Sequence, residues 1–437
     1  MTNSKYVPKR RFKEFELDGE WEQDLLGNIA DFSIKTNSFS REKLTHESYE
    51  VQNIHYGDIL IKFQSVLDLK RDNLPSIIDS SVLDFRQSLL QDGDVIFADA
   101  AEDSTVGKAI EIRNIMGKNV VSGLHTIAAR PIQLFAPYYL GYYLNSDFYH
   151  KQILPLMQGT KVSSISKSNL QVTEISFPII DEQKKIGKFF QKIASLIALH
   201  QHKLDKLKNL KNAYLAEMLP TKGESVPKRR FPGFEGEWEK VLLGKVVDFS
   251  IKTNSFSREK LTQESYEVQN IHYGDILVKF QSVLDLKRDN LPSIIDSSVL
   301  DFRQSLLQDG DIIFADAAED STVGKAIEIR NIMGKNVVSG LHTIAARPRQ
   351  LFAPYYLGYY LNSDTYHNQI LSLMQGTKVS SISKSNLQVT EISFPIIDEQ
   401  KQIGNFFKKL DQSISLQQQK LDKLNDLKKA YLNELFV

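Results

Sequence analysis

The 437 residues are 41 % hydrophobic and 25 % charged, and Lys plus Arg balances Asp plus Glu at 54 each. That length allows two or three domains with real cores, while a net charge of zero points to no partner, so any basic surface must come from segregation within the fold. The absence of cysteine excludes disulfides, thiolate zinc sites and cysteine nucleophiles, and fits a reducing compartment. The opening MTNSKYVPKRRFKEF has no apolar stretch behind its basic residues and no later run is long enough to cross a bilayer, so a cytoplasmic location is expected.

The chain divides into an N-terminal strap (1–20), a globular domain (21–180), a long helix (181–219), a connector (220–237), a second globular domain (238–397) and a second long helix (398–437). The strap VPKRRFKEFELDGEWE (Val7 to Glu22) and the connector VPKRRFPGFEGEWE (Val226 to Glu239) carry Pro8, Pro227, Pro232, Gly233 and Gly236, which mark extended segments lying over other surfaces. Their basic clusters, Lys9, Arg10, Arg11 and Lys228, Arg229, Arg230, suit either a phosphate or partner contact or a solvated linker.

In the first globular domain short strand-like runs alternate with turn signals. Gly57 and Asp58 precede ILIKF, Gly93 and Asp94 precede VIFADA, Gly107 precedes KAIEIR, and NVVSGLHTIAARP follows. Ala136 and Pro137 open the aromatic helical stretch YYLGYYLNS, with more helix through Tyr149 to Met157. Then come the polar loop GTKVSSISKSNL and the strand EISFPII, which feeds the long helix. Strands first and helices later predict an α+β domain with a mixed or antiparallel sheet.

From Ile186, steps of four and three give Phe190, Ile193, Ile197, His200, Leu204, Leu207, Lys211, Tyr214 and Met218. This is a heptad seam. The second helix repeats it as Ile403, Phe407, Leu410, Ile414, Gln417, Leu421, Leu424, Lys428, Tyr431 and Leu435. Neither stretch contains proline, Gly187 and Gly404 are the only helix-weakening residues, and each helix would extend about 55 Å. That is too long to cover one small domain, so the helices are expected to hold two bodies apart.

Asp31 to Phe190 returns as Asp248 to Phe407, 217 residues on, with nine substitutions: His46/Gln263, Ile61/Val278, Val95/Ile312, Ile132/Arg349, Phe148/Thr365, Lys151/Asn368, Pro155/Ser372, Lys185/Gln402 and Lys188/Asn405. The chain is therefore a duplicated module of domain plus helix. Parallel pairing of the helices would set His200 beside Gln417, a better polar match than Leu421, but would force the short connector back along a full helix length. Antiparallel pairing, with Lys211 near Leu410, is expected.

Motifs for catalysis are missing. DSTVGKA (Asp103 to Ala109) lacks the leading glycine and the final Ser or Thr of a P-loop. Phe135, Ala136, Pro137 and Tyr138 only graze an adenine-methyltransferase motif, and no glycine-rich cofactor loop accompanies them. His200 and His202 are two apart on a helix and cannot face one metal. Asp99, Glu102 and Asp103 follow a strand, where a magnesium nuclease or an ordinary strand end would keep them.

Polar and basic residues instead gather in loops, the usual place for nucleic-acid readers. One loop offers Lys35, Asn37, Arg41 and Lys43, matched by Lys252, Asn254, Arg258 and Lys260. A second offers Gln64, Lys70, Arg71 and Asn73, matched by Gln281, Lys287, Arg288 and Asn290. The third, GTKVSSISKSN, adds Thr160, Lys161, Ser163, Ser164 and Lys167, matched by Thr377, Lys378, Ser380, Ser381 and Lys384. Arg and Lys suit guanine edges or phosphates, and Asn and Gln suit adenine.

EQKKIGKFF and EQKQIGNFF at the helix starts, the GTK loops before ISFPIIDEQ and the PKRRF…GEWE segments resemble the specificity subunit of type I restriction-modification systems over almost the whole chain. The resemblance implies two α/β-mixed target recognition domains separated by two antiparallel coiled-coil helices with pseudo-twofold symmetry, each domain reading half of a bipartite DNA target. It also implies no active site and no cofactor in this chain. Two adenine methyltransferase subunits, and often two nuclease subunits, would assemble around it and use S-adenosylmethionine, ATP and magnesium. In that family the two domains usually differ. Here they are nearly identical, so an inverted-repeat target is expected. Competing readings are a stand-alone nuclease built on Asp99 and its neighbours, and a coiled-coil scaffold without sequence preference.

Overall fold

The computed structural model describes residues 6–221, 223–376 and 378–437. They form two compact units, Met1–Gln201 with Gln419–Val437, and His202–Gln418. The two long helices, Ile180–Met218 and Ile397–Glu434, lie within a residue or a few of the expected ends.

In the first unit a five-stranded sheet runs in the order Ala30–Asp31, Thr126–Pro131, Val95–Ala98, Ala109–Arg113, Val66–Asp68, and only its last pair is parallel. A four-stranded sheet runs Asn119–Ser122, Val51–Ile54, Ser76–Ile77, Leu44–Thr45, with its first pair parallel. Mixed sheets with helices appended at the end of the domain give the expected α+β class. Ile96, Ile110 and Ile112 are fully buried in one core, and Tyr139, Tyr143 and Tyr149 in another. The aromatic stretch is thus core. The second unit repeats both sheets.

One expected strand is a helix. Tyr56–Ile61 is α-helical, capped by the His55 Nδ1, which accepts from the Gly57 N–H at 3.2 Å. A strand would place Ile59 and Ile61 on one face, yet Ile59 is fully buried and Ile61 is 89 % exposed. Phe63, four residues beyond Ile59, is the next buried residue of that face, the helical spacing. The second unit agrees, with Ile276 buried and Val278 exposed.

The heptad seam is buried as its period demands. In the first unit Ile186, Phe190, Ile193 and Ile197 are buried. Phe190 stacks on Phe436 at 5.6 Å and Phe189 meets Tyr431 edge-on at 4.8 Å, so the start of the first long helix packs against the end of the second. In the second unit the roles exchange: Tyr214 meets Phe406 at 5.0 Å, and Met218 and Phe407 share one core. Within each unit the helix segments are antiparallel.

Gly187 and Gly404, helix-weakening in sequence, are required by packing. A Cβ on Gly187 would lie 2.5 Å from the Pro137 carbonyl oxygen and 3.3 Å from the Tyr139 amide, and Gly404 meets Pro354 in the same way. Alanine in a helix interior ordinarily stabilises by about 0.5–1 kcal/mol over glycine. Here Gly187→Ala is expected to destabilise by roughly 1–3 kcal/mol, since backbone must move. Urea denaturation checks the sign, and a stabilised variant would refute the close approach.

The strap and connector are tied down by the same contacts. The Arg10 N–H donates to the Glu434 carbonyl at 2.9 Å, and the Arg229 N–H to the Glu217 carbonyl at 2.8 Å. Arg11 grips the buried Glu182 bidentately at 2.8 and 2.7 Å, as Arg230 grips Glu399 at 2.7 Å from each donor. Arg10 and Arg229 pair with Glu434 and Glu217. The basic clusters, read as either a phosphate or partner contact or a solvated linker, are instead spent on the long helices, except for Lys9 and Lys228, which make no ion pair among the described residues.

Candidate nucleic-acid interface

Arg41 lies in a one-turn 3-10 helix, Arg41–Lys43. Its guanidinium holds Asp58 bidentately at 2.9 and 3.0 Å, while its side chain stays 59 % exposed. Asp58 sits in the first turn of the helix Tyr56–Ile61, where a carboxylate also suits the helix dipole. The His55 ring lies 4.6 Å from that of Tyr56, which meets His125 edge-on at 5.3 Å, and His125 Nδ1 is 3.3 Å from Asp99. His125 adopts the left-handed region at φ 53°, unusual for a side-chain-bearing residue and common where a functional loop is held.

The third polar loop joins this cluster. Ser163–Ser164 pairs antiparallel with Ala100–Ala101, and the Ile165 N–H donates to the Asp99 carbonyl at 2.9 Å. Lys161 and Thr160 are exposed on that loop. The first loop arrives from the other side, where the Asn37 N–H donates to the Ser122 carbonyl at 2.9 Å, with Lys35 and Lys43 exposed. Arg41 meets this cluster through Asp58 and Ser163–Ser164 through Ala100–Ala101, and the loops that carry them expose Lys35, Lys43, Thr160 and Lys161. In the second unit Arg258 holds Asp275 at 3.1 and 3.2 Å, Ser380–Ser381 pairs with Ala317–Ala318, Tyr273 meets His342 edge-on, and Lys252, Lys260 and Lys378 are exposed. Thr377 lies outside the described residues.

Other expected residues are placed differently, several with their side chains committed elsewhere. The Asn37 amide donates to Asn53 and to the Ser122 carbonyl, and Asn254 does the same with Asn270 and Ser339. Lys167 and Lys384 are tied to the carbonyls of Phe32 and Phe249 at 2.6 and 2.5 Å. The second loop belongs to the helix side of each domain. Gln64 accepts from Lys428 Nζ at 2.8 Å, and Gln281 donates to Asp411. Arg71 and Arg288 lean on Asp68 and Asp285, Lys70 and Lys287 turn their backbone amides to the same carboxylates, and the carbonyls of Asn73 and Asn290 accept from Lys62 and Lys279.

Burial, then the Arg41 charge, push His55 below its usual value of 6.5, which keeps Nδ1 free to cap Gly57. Its contribution to stability is present above pH 6.5 and is lost as the pH falls through the lowered value. Burial holds the Asp99 carboxyl above the usual carboxylate range, opposed by His125. Asp103 accepts from both the Thr105 N–H and hydroxyl. Among the described residues no group of three His, Cys, Asp or Glu side chains converges as a metal site would.

Sequence reasoning overlooked Tyr56, His125 and their counterparts. The HYGD run in both copies was the available signal, but it reads equally as a strand start.

The chain matches the family described as type I restriction modification DNA specificity domain over residues 19–209 and 235–426. It is 24 % identical over 440 residues to a protein of Methanocaldococcus jannaschii described as "Putative type I restriction enzyme MjaX specificity subunit", covering 96 % of this chain and 93 % of that protein. The MjaVIII specificity subunit of the same organism is 23 % identical over 289 residues, 64 % of each chain. The S subunit of a type I restriction-modification system from M. genitalium has the same fold, with a TM-score of 0.55 at 14 % identity over 99 % of both chains. A further solved chain from a type I system aligns at a TM-score of 0.51 and 20 % identity, over 94 % of this chain and 96 % of that one.

Proposed function

This chain belongs to the type I restriction-modification DNA specificity family, the DNA-recognition rather than the catalytic component of such systems, and from that membership we propose that it reads an inverted repeat. One observation carries the reading. The cluster of Arg41, His55, Tyr56, Asp58, Asp99 and His125 recurs as Arg258, His272, Tyr273, Asp275, Asp316 and His342, and none of the nine differences between copies falls in it or in the exposed loop residues around it. Identical readers take identical bases. Each unit is built from the start of one long helix and the end of the other, which supports placing the same few bases on opposite strands across an unread gap.

The chemistry proposed for the cluster is ordinary groove recognition. Arg41 and Lys161 reach guanine edges or phosphates, Ser163 and Ser164 take either partner, and the Asp58 grip fixes the Arg41 fork in place before DNA arrives. Two adenine methyltransferase subunits, and where present two nuclease subunits, would supply catalysis with S-adenosylmethionine, ATP and magnesium. The family membership and the solved type I assembly support such partners.

The test is methylation mapping of genomic DNA from cells expressing this chain with a methyltransferase subunit. Two half-sites that are reverse complements, modified at adenine on both strands, are expected. Unlike halves would overturn the symmetry, and the absence of any motif would favour a scaffold without sequence preference. Replacing Lys161 and Lys378 together by alanine is expected to weaken binding by about 1–3 kcal/mol per lost base contact. Unchanged affinity and site choice in a binding titration would remove the GTK loops from the interface.

A further inference from the structure

One difference between the two units removes a carboxylate that its neighbours hold in the other. In the second unit Lys211 of the first long helix meets the carboxylate of Asp411 at 2.6 Å. The Tyr359 hydroxyl donates to the other oxygen of Asp411 at 2.7 Å, and the Gln281 amide, assigned with its nitrogen toward the carboxylate because the reverse would set two acceptors face to face, donates to both oxygens at 3.0 and 3.3 Å. Three donors therefore converge on one partly buried anion. Their counterparts 217 residues away are Lys428, Tyr142 and Gln64, and the counterpart of Asp411 is Ala194.

The first unit keeps the donors and lacks the carboxylate. Lys428 Nζ reaches the Gln64 side-chain oxygen at 2.8 Å and lies 5.7 Å from the centre of the Tyr142 ring, with no ion pair among the described residues. Gln64, Tyr142 and Ala194 line a cavity of about 330 Å³, with Arg71 on its wall beside Lys62 and Asp72. Asp72 is turned away to the Asp68 N–H at 2.8 Å, and Lys62 is held by the Asn73 carbonyl. Gln191 also lines it where the second unit has Lys408, whose ammonium donates to Tyr355. A half-buried lysine beside an open cavity, without the acid its twin has, is a costly arrangement for a protein to keep empty. Burial, and then the nearby Lys108, push Lys428 down to about 8. Lys108 itself is occupied by the carbonyls of Leu60 and Phe63.

We propose that this cavity of the first unit binds an anionic oxygen ligand, a small carboxylate or phosphate, which Lys428, the Tyr142 hydroxyl and the Gln64 amide hold as their counterparts hold Asp411. On binding, the Gln64 amide turns over so that its nitrogen faces the ligand, the orientation that satisfies Gln281 against Asp411. Arg71 supplies a second positive charge at the wall. The second unit has no such site because Asp411 fills it.

Thermal unfolding of the full-length chain, with inorganic phosphate or acetate exchanged for chloride at constant ionic strength, tests the site. The wild type is expected to show a saturable rise in Tm of a few degrees. Ala194→Asp is expected to unfold at higher temperature in chloride and to lose the response. Asp411→Ala is expected to acquire a second, equivalent response, and decides the matter if Ala194→Asp does not fold. A wild type without a saturable response, or an Asp411→Ala variant that gains none, overturns the proposal. Two sources of the ligand are separable by titrating DNA onto the chain with its methyltransferase partner. If a DNA phosphate fills the cavity, Ala194→Asp weakens DNA binding about tenfold and inorganic phosphate competes with DNA. If a free anion fills it, DNA affinity is the same in both proteins.

Discussion

Replacing Arg11 by alanine is expected to destabilise the first unit by about 3–5 kcal/mol, the cost of leaving a buried carboxylate without its partner. Glu182 is 1 % exposed. Its two oxygens are taken by the Nε and Nη2 of Arg11 at 2.8 and 2.7 Å, while Nη1 donates to the carbonyls of Asp18 and Gly19. One guanidinium thus closes the strap on itself and fastens it to the first turn of the long helix. A surface ion pair in the same sequence context would be worth under about 1 kcal/mol, so the size of the effect reports burial. Urea denaturation of Arg11→Ala and Arg230→Ala should give comparable losses, because Arg230 and Glu399 repeat the geometry at 2.7 Å. Adding Glu182→Ala to Arg11→Ala should recover a large part of the loss, since the second change removes the stranded charge. A loss below about 1 kcal/mol would mean that the pair is solvated.

The second large effect is expected on recognition. Arg41→Ala and Arg258→Ala should each weaken binding to an inverted-repeat target by about 1–3 kcal/mol. Together they should cost the sum, because the two arginines share no partner: one holds Asp58 and the other Asp275. Two such losses amount to between about thirty and twenty thousand fold in affinity at 1.4 kcal/mol per decade. On a target with unlike halves the single variants would separate. Equal single effects and an additive double, measured with synthetic duplexes at fixed salt, support the symmetric reading. Variants that bind as tightly as the wild type would show that the arginines only brace Asp58 and Asp275. Salt must be held constant, because phosphate contacts alone make affinity fall steeply with ionic strength.

Much of the architecture was legible in the residues. The heptad spacing located both long helices, at Ile180–Met218 and Ile397–Glu434, because a buried seam repeating every three and four residues is a local property of a helix. Strands such as Val95–Ala98 and Ala109–Arg113 were legible from β-branched and apolar runs bounded by Gly and Asp. The helix at Tyr56–Ile61 was not, since ILIKF satisfies either period until a core chooses one face. Of the candidate site, Arg41, Lys35 and the GTK loop were found by residue type and loop position. Gln64 and Arg71 have the same residue types but face the helices, and no feature of their own segment distinguishes them.

By itself the sequence determined the duplication, the α+β class, the two long helices and the lack of a catalytic motif, because each is written in local spacing or in direct comparison of the two copies. Only the tertiary structure decided which polar side chains are free and which are spent. Arg11 and Glu182 are 171 residues apart, and Gln64 and Lys428 are 364 apart. Such pairings arise when hydrophobic burial of the seam and sheets brings distant segments together. The desolvation that follows then obliges each buried charge to find a partner, a condition that no window of neighbouring residues contains.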